Sequence, residues 1–141
     1  MPVPTEVRLR TVNQTEANRK GRVNLNFMSV KLNIRQAGDV TMVDVSGRIT
    51  LGEGASVIGD AVRELTARGN RKILLNLGDV SYIDSSGIGE LASSLASVVR
   101  AGGTLKLLSL TKRVKSLVQI TRLDAVFDVQ EDEARAMRSF T

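Results

Sequence analysis

The residues best suited to chemistry lie together at Asp84-Ser85-Ser86-Gly87-Ile88-Gly89-Glu90. A carboxylate, two hydroxyls and two glycines in one short stretch fit four roles: a catalytic serine, a phosphate-binding turn, a helix cap or a switch. Catalysis fails on inventory. The 141 residues include no histidine and no cysteine, which removes Ser-His-Asp triads, thiol nucleophiles, disulfides and Cys/His zinc sites. A nucleophile elbow needs glycine two residues before the serine, and Ile83 and Asp84 stand there. A serine enzyme would have to use a lysine base, a rarer arrangement.

Capping works better. Asp84, Ser85 or Ser86 can accept hydrogen bonds from the free N–H groups that open a helix. One such residue suffices, at about 1 kcal/mol, so three polar residues and two glycines exceed the requirement. A switch uses the same place. A phosphate on a serine at a helix N-terminus meets N–H groups and the positive end of the dipole, so the fold tolerates it. A partner docked over that helix end would be expelled by bulk and repulsion, with Asp84 alongside. The residues alone do not choose between Ser85 and Ser86. Beyond them, Ser86, Glu90, Ser93, Ser94 and Ser97 lie opposite the apolar stripe of the helix, and their mostly small side chains allow a partner backbone to come close. The expected docking surface therefore spans 84–97 and includes Asp84, Gly87, Ile88 and Gly89.

Two other stretches attract less. Gly52 to Gly59, "GEGASVIG", has its third glycine too late for a dinucleotide fingerprint and no lysine for a P-loop, so it reads as a strand-to-helix turn. Lys112, Arg113 and Lys115 front a helix and could touch phosphates or an acidic surface; a solvated face explains them as well.

The elements that position these residues follow from periodicity. Val30, Leu32 and Ile34 alternate with polar residues after Met28, the mark of a half-buried strand. "QAGD" turns the chain into a second strand with Val40, Met42 or Val43, and Val45, forming a hairpin. Ile58, Ala61, Val62 and Leu65 fall at helical spacing and predict a helix over 55–68, ended by Gly69-Asn70. "KILLNL" (72–77) is a central strand. A loop through 78–84 leads to a helix over 86–101 with Ile88, Leu91, Ala92, Leu95 and Val99 inward. Gly102-Gly103 breaks it before the strand "TLKLLSL" (104–110). A helix capped by Thr111 follows, with Val114, Leu117 and Val118 inward, and then a brief strand, "AVFDV", and a closing helix, "QEDEARAMRSF". The order β-β-α-β-α-β-α-β-α predicts an α/β fold: one domain with a mixed sheet of four to five strands and about four helices.

Composition agrees with one soluble domain, 42% hydrophobic and 25% charged. Aromatics are only 3%, too few for base-stacking platforms. Of the net charge of +5, most comes from Arg8, Arg10, Arg19, Lys20 and Arg22 near the start, which makes the basic balance weak support for direct nucleic-acid binding. Residues 1–27 hold both prolines and no sustained period, so they read as a basic, disordered extension, with the domain at 28–141. No membrane-length apolar run or signal-peptide core is present, and a cytoplasmic location with no membrane is the default expectation.

From about residue 30 to the C-terminus the chain resembles the STAS domain of bacterial anti-sigma factor antagonists. The likeness is carried by Asp84-Ser85-Ser86-Gly87-Ile88-Gly89 between strand and helix, by Gly102-Gly103-x-Leu105-x-Leu107, and by the closing Val114, Leu117, Ile120, Leu123 and Phe127. The resemblance implies a non-enzymatic partner-switching protein that binds an anti-sigma factor serine kinase with a histidine-kinase-like ATPase fold. It implies phosphorylation of the serine after the Asp, here Ser85, which ends binding, and reversal by a PP2C-type phosphatase. ATP belongs to the kinase, so no cofactor is expected; a weak homodimer is compatible. Arg48 and Thr50 stand where the family commonly carries acids. The alternative is a scaffold-type STAS component of a larger signalling or lipid-transport assembly, without a phospho-switch.

Overall fold

The computed structural model describes residues 22–140. Six strands form one sheet in the spatial order β1 to β6: β1 (Val23–Asn26), β2 (Val30–Ala37), β3 (Val40–Ile49), β4 (Lys72–Ile83), β5 (Thr104–Leu108) and β6 (Val129–Gln130). β2 runs antiparallel to both β1 and β3, and β3 to β6 are parallel. Helices α1 (Glu53–Ala67), α2 (Ser85–Arg100) and α3 (Lys112–Ile120) are the crossovers, and α4 (Glu133–Arg138) closes the chain.

Each crossover advances one strand in the same direction, so its helix falls on the same face of the sheet. That face is the main core: Leu32, Val43, Val45, Ile73, Leu75, Leu77, Leu105 and Leu107 from the strands meet Ile58, Val62, Leu91, Val98, Val114 and Val118 from the helices. The other face is apolar only where α4 covers it. There Val40, Met42, Leu74 and Leu108 pack with Ala136, Met137 and Phe140. Toward β1 it turns polar, and Asp44 gathers Arg35, Asn33 and Asn76, with Arg35 Nε 2.8 Å from its carboxylate.

The expected α/β architecture is present, with four differences. The sheet has six strands, because Val23–Asn26 pair with Lys31–Ile34. Leu25, which precedes the boundary drawn at Met28, is 1% exposed, within the core. Four residues with two asparagines give a weak strand signal; pairing with β2 stabilises the segment. The rest of the basic extension lies outside the described residues. Second, β4 runs on to Ile83, where a loop over 78–84 was expected. Its pairing with β3 is irregular at two places, between Asp44 and Ser46 and between Gly47 and Arg48. Each inserts one residue, so the inward residues Leu77, Val80 and Ile83 are spaced by three rather than two. Alternation, the signal for a strand, is erased there. Third, Val98 rather than Val99 faces the core from α2, and Val99 is 58% exposed. Fourth, the last strand shrinks to Val129–Gln130, with Leu123–Ala125 in a 3-10 turn.

If Leu25 belongs to the core, Leu25→Ala costs about 2–3 kcal/mol of unfolding free energy. Urea denaturation checks this, and an unchanged midpoint would return β1 to the extension.

Candidate functional site

In an open α/β sheet, the loops at the carboxyl ends of the parallel strands are where ligands and partners gather. Here the ends of β3, β4 and β5 deliver the N-termini of α1, α2 and α3 to one rim. The stretch at 84–90 sits in the middle of it.

Asp84 is the N-cap of α2. Its Oδ1 accepts the Gly87 N–H at 2.9 Å, and its Oδ2 accepts the Leu51 N–H at 3.1 Å. Its own N–H donates to the Ile49 carbonyl at 3.3 Å. One residue thus ties the head of α2 to the loop leaving β3. The N–H groups of Gly87 above all, then those of Leu51 and Ser86, hold the Asp84 carboxyl below the ordinary value of 3.8, outweighing burial, which pushes the other way. Gly87 is needed for the same approach, since a Cβ there would run into the Ile49 carbonyl and the Ile83 side chain. Gly54, in the second glycine stretch, plays the matching part at α1: its Cβ would meet the Arg48 carbonyl. The glycines of 52–59 include a packing position of this kind, consistent with the strand-to-helix turn.

Ser85 is the first residue of α2 and is exposed, whereas Ser86 is half-buried. Ser85 lines a shallow cleft of about 490 Å³ with Tyr82, Ile83, Asp84, Arg113, Ser116, Leu117 and Ile120. Around it stand two exposed apolar residues, Leu51 at 78% and Ile120 at 76%. Neither was singled out from the sequence as part of this surface. The available signal was phase, since Ile120 follows the inward residues Val114 and Val118 but falls on the exposed side of α3.

The surface expected over 84–97 is only partly formed. Gly89 is exposed with open space where a Cβ would be, and Ser93 is exposed. Ser97 is half-buried. Glu90 forms an ion pair with Arg63 of α1 at 3.3 Å. Gly87, Ile88 and Ser94 are buried. Ser94 is a correction to the expectation of a serine-lined outer face. α1 packs against α2, and Ser94 lies at 0% exposure with its hydroxyl unpartnered. Small size is what that position requires, and a serine supplies it as well as an alanine does. Of the flagged basic residues, Lys115 lies 3.8 Å from Glu131, and Arg113 stacks on Tyr82.

Comparison with known proteins bears on this rim. Residues 31–136 match the STAS domain family. The chain is 30% identical over 102 residues to the anti-sigma-B factor antagonist of Bacillus subtilis, covering 72% of this chain and 92% of that one. A proposed anti-sigma factor antagonist from Thermotoga maritima superposes with a TM-score of 0.68 at 25% identity, over 76% of this chain and 92% of that one. The Bacillus cell fate determinant SpoIIAA in its phosphorylated form shares the fold, with a TM-score of 0.62 at 16% identity, over 78% of this chain and 99% of that one.

The lowered pKa of Asp84 fixes the sign of a pH effect. Its stabilising contribution is complete above the ordinary value of 3.8 and is lost as the pH falls through the lower folded-state value. Asp84→Ala is expected to cost about 1 kcal/mol at neutral pH, with the gap to wild type closing below about pH 4. Denaturation midpoints at pH 7, 5 and 3 test this; a gap of equal size at pH 3 contradicts it. Ser94→Ala is expected to be neutral or stabilising by up to about 1 kcal/mol in the same assay, because no hydrogen bond is lost.

Proposed function

The chain belongs to the STAS domain family, and on that premise we propose that it is an anti-sigma factor antagonist that works by partner switching. Unphosphorylated, it binds an anti-sigma factor serine kinase across the head of α2; phosphorylation of Ser85 ends that contact, and a PP2C-type phosphatase restores it. The function class is supported by the Bacillus subtilis relative, named an anti-sigma-B factor antagonist, which this chain matches over 92% of its length.

The observation that carries the residue assignment is the exposure of Ser85 at the first position of α2, beside half-buried Ser86. A kinase must bring a hydroxyl to its own active site, and only the outward one is free to go there. Exposed Leu51 and Ile120 offer apolar contact, and Gly89 and Ser93 permit close approach. Such a surface is sensitive to charge. A phosphoryl group at Ser85 adds about two negative charges next to Asp84, whose ionised form is held by backbone N–H groups. A partner seated over the helix end would have to desolvate that charge. The chain itself supplies no chemistry in this scheme: the kinase brings ATP, and the phosphatase its own catalytic groups.

Ser85→Asp is expected to weaken binding to the cognate kinase by about 100-fold or more, with the circular dichroism spectrum unchanged. Ser85→Ala is expected to bind and to resist phosphorylation, and Ser86→Ala to remain a substrate. Wild-type affinity in Ser85→Asp would refute the switch. Gly89→Arg, which places a long side chain in open space, is expected to lose binding without losing stability; titration calorimetry against the kinase reads both variants.

A further inference from the structure

Beside Ser85 lies a group that the switch as described does not use. Arg48, from the end of β3, and Arg113, from the first turn of α3, both place their guanidinium carbons over the ring of Tyr82, at 5.0 and 4.5 Å from its centre. Tyr82 is the residue paired with Arg48 across β3 and β4. It follows the second irregularity in that pairing and so holds a place the regular register would not give it. Both arginines are exposed, and neither is ion-paired among the described residues. Stacking engages the flat face of a guanidinium and leaves its in-plane N–H fork available. Such a fork matches the oxygens of a phosphate.

Local charge argues for the same occupant. Two of the N–H groups in the first turn of α2 are already engaged: Gly87 donates to the Asp84 carboxylate and Ile88 to the Asp84 carbonyl. A phosphoryl group on Ser85 would therefore stand beside the Asp84 carboxylate, with the N–H groups of Gly87 and Ile88 already used. Among the residues lining the cleft that contains Ser85, Arg113 is the single cation. We propose that Arg113, backed by Arg48 across the Tyr82 ring, is an intramolecular clamp for the phosphoryl group on Ser85. The arginines stand ready in the unphosphorylated chain, pre-stacked on the tyrosine, and turn inward to the phosphate once it is present. The clamp rests on Ser85 being the phosphorylated residue. It adds that this chain reads its own modification: the charge is partly neutralised in cis, and the two arginines are withdrawn from the surface that a partner would meet.

The test uses the full chain with phosphoserine installed at position 85 during translation, so that no kinase is needed. A phosphorus NMR titration gives the second ionisation of the monoester, ordinarily near about 6. Nearby cations favour the dianion. The expected result is that wild type ionises lower than Arg48→Ala/Arg113→Ala by about half a pH unit or more, with Arg113→Lys in between because it keeps the charge and loses the fork. Thermal melts confirm that the exposed arginines are dispensable for folding. Identical titrations in wild type and the double variant overturn the clamp, and they leave the switch standing if Ser85→Asp still loses the kinase. A shifted titration together with wild-type binding by Ser85→Asp sinks the switch and retains the clamp.

Discussion

The rim of this domain depends on one carboxylate. Asp84 takes an N–H from Gly87 on the helix it caps and another from Leu51 on the neighbouring loop, and it donates its own N–H to Ile49. These bonds join the end of β3 to the start of α2 at the point where a loop would otherwise be free to move. Ser85 follows immediately, so its outward direction is a consequence of the cap and needs no other support. The same bonds keep Asp84 ionised, which sets the electrostatic background for anything added to Ser85. Under the proposed switch, structural and regulatory demands meet in adjacent residues, and a change at Asp84 would alter both.

The close packing around that cap requires glycine rather than merely tolerating it. Gly87 and Gly54 each lie against a carbonyl at the end of β3, Ile49 for one and Arg48 for the other. Two helices are drawn onto one strand end in this way, and the loops between them become short. Short loops hold Leu51, Ser85 and Arg113 on one rim, while the polar half of the opposite sheet face, gathered around Asp44, faces away from it. The docking surface we propose is thus the rim formed by the strand ends and helix N-termini, rather than a helix face running the whole length of α2.

The arginines give this family member its own character. Where the STAS resemblance expects acids at the end of β3, Arg48 reaches a tyrosine that Arg113 also covers. Tyr82 reaches that place because β4 carries two extra residues in its outer half. In the regular register Arg48 would lie opposite Val80 rather than Tyr82. The departure from the family pattern and the irregular strand are therefore one local arrangement.

What the sequence by itself determined was the part governed by local rules. Helical spacing located α1, α2 and α3, the run at 72–77 located the central strand, and the Asp-Ser-Ser-Gly stretch located the head of α2. Thr111 and Asp84 were legible as caps because a side-chain oxygen three residues before an N–H is a local geometry. Tertiary structure decided what depends on neighbours distant in the chain. β1 exists because β2 offers it an edge, and the outer half of β4 is strand because β3 pairs with it in spite of broken alternation. Ser94 is buried by packing between elements, and Ser85 is the exposed serine of the pair because the cap fixes the helix phase. Periodicity records which residues share a face of their own element. Which faces are covered, and which cations share one ring, is settled by packing between elements.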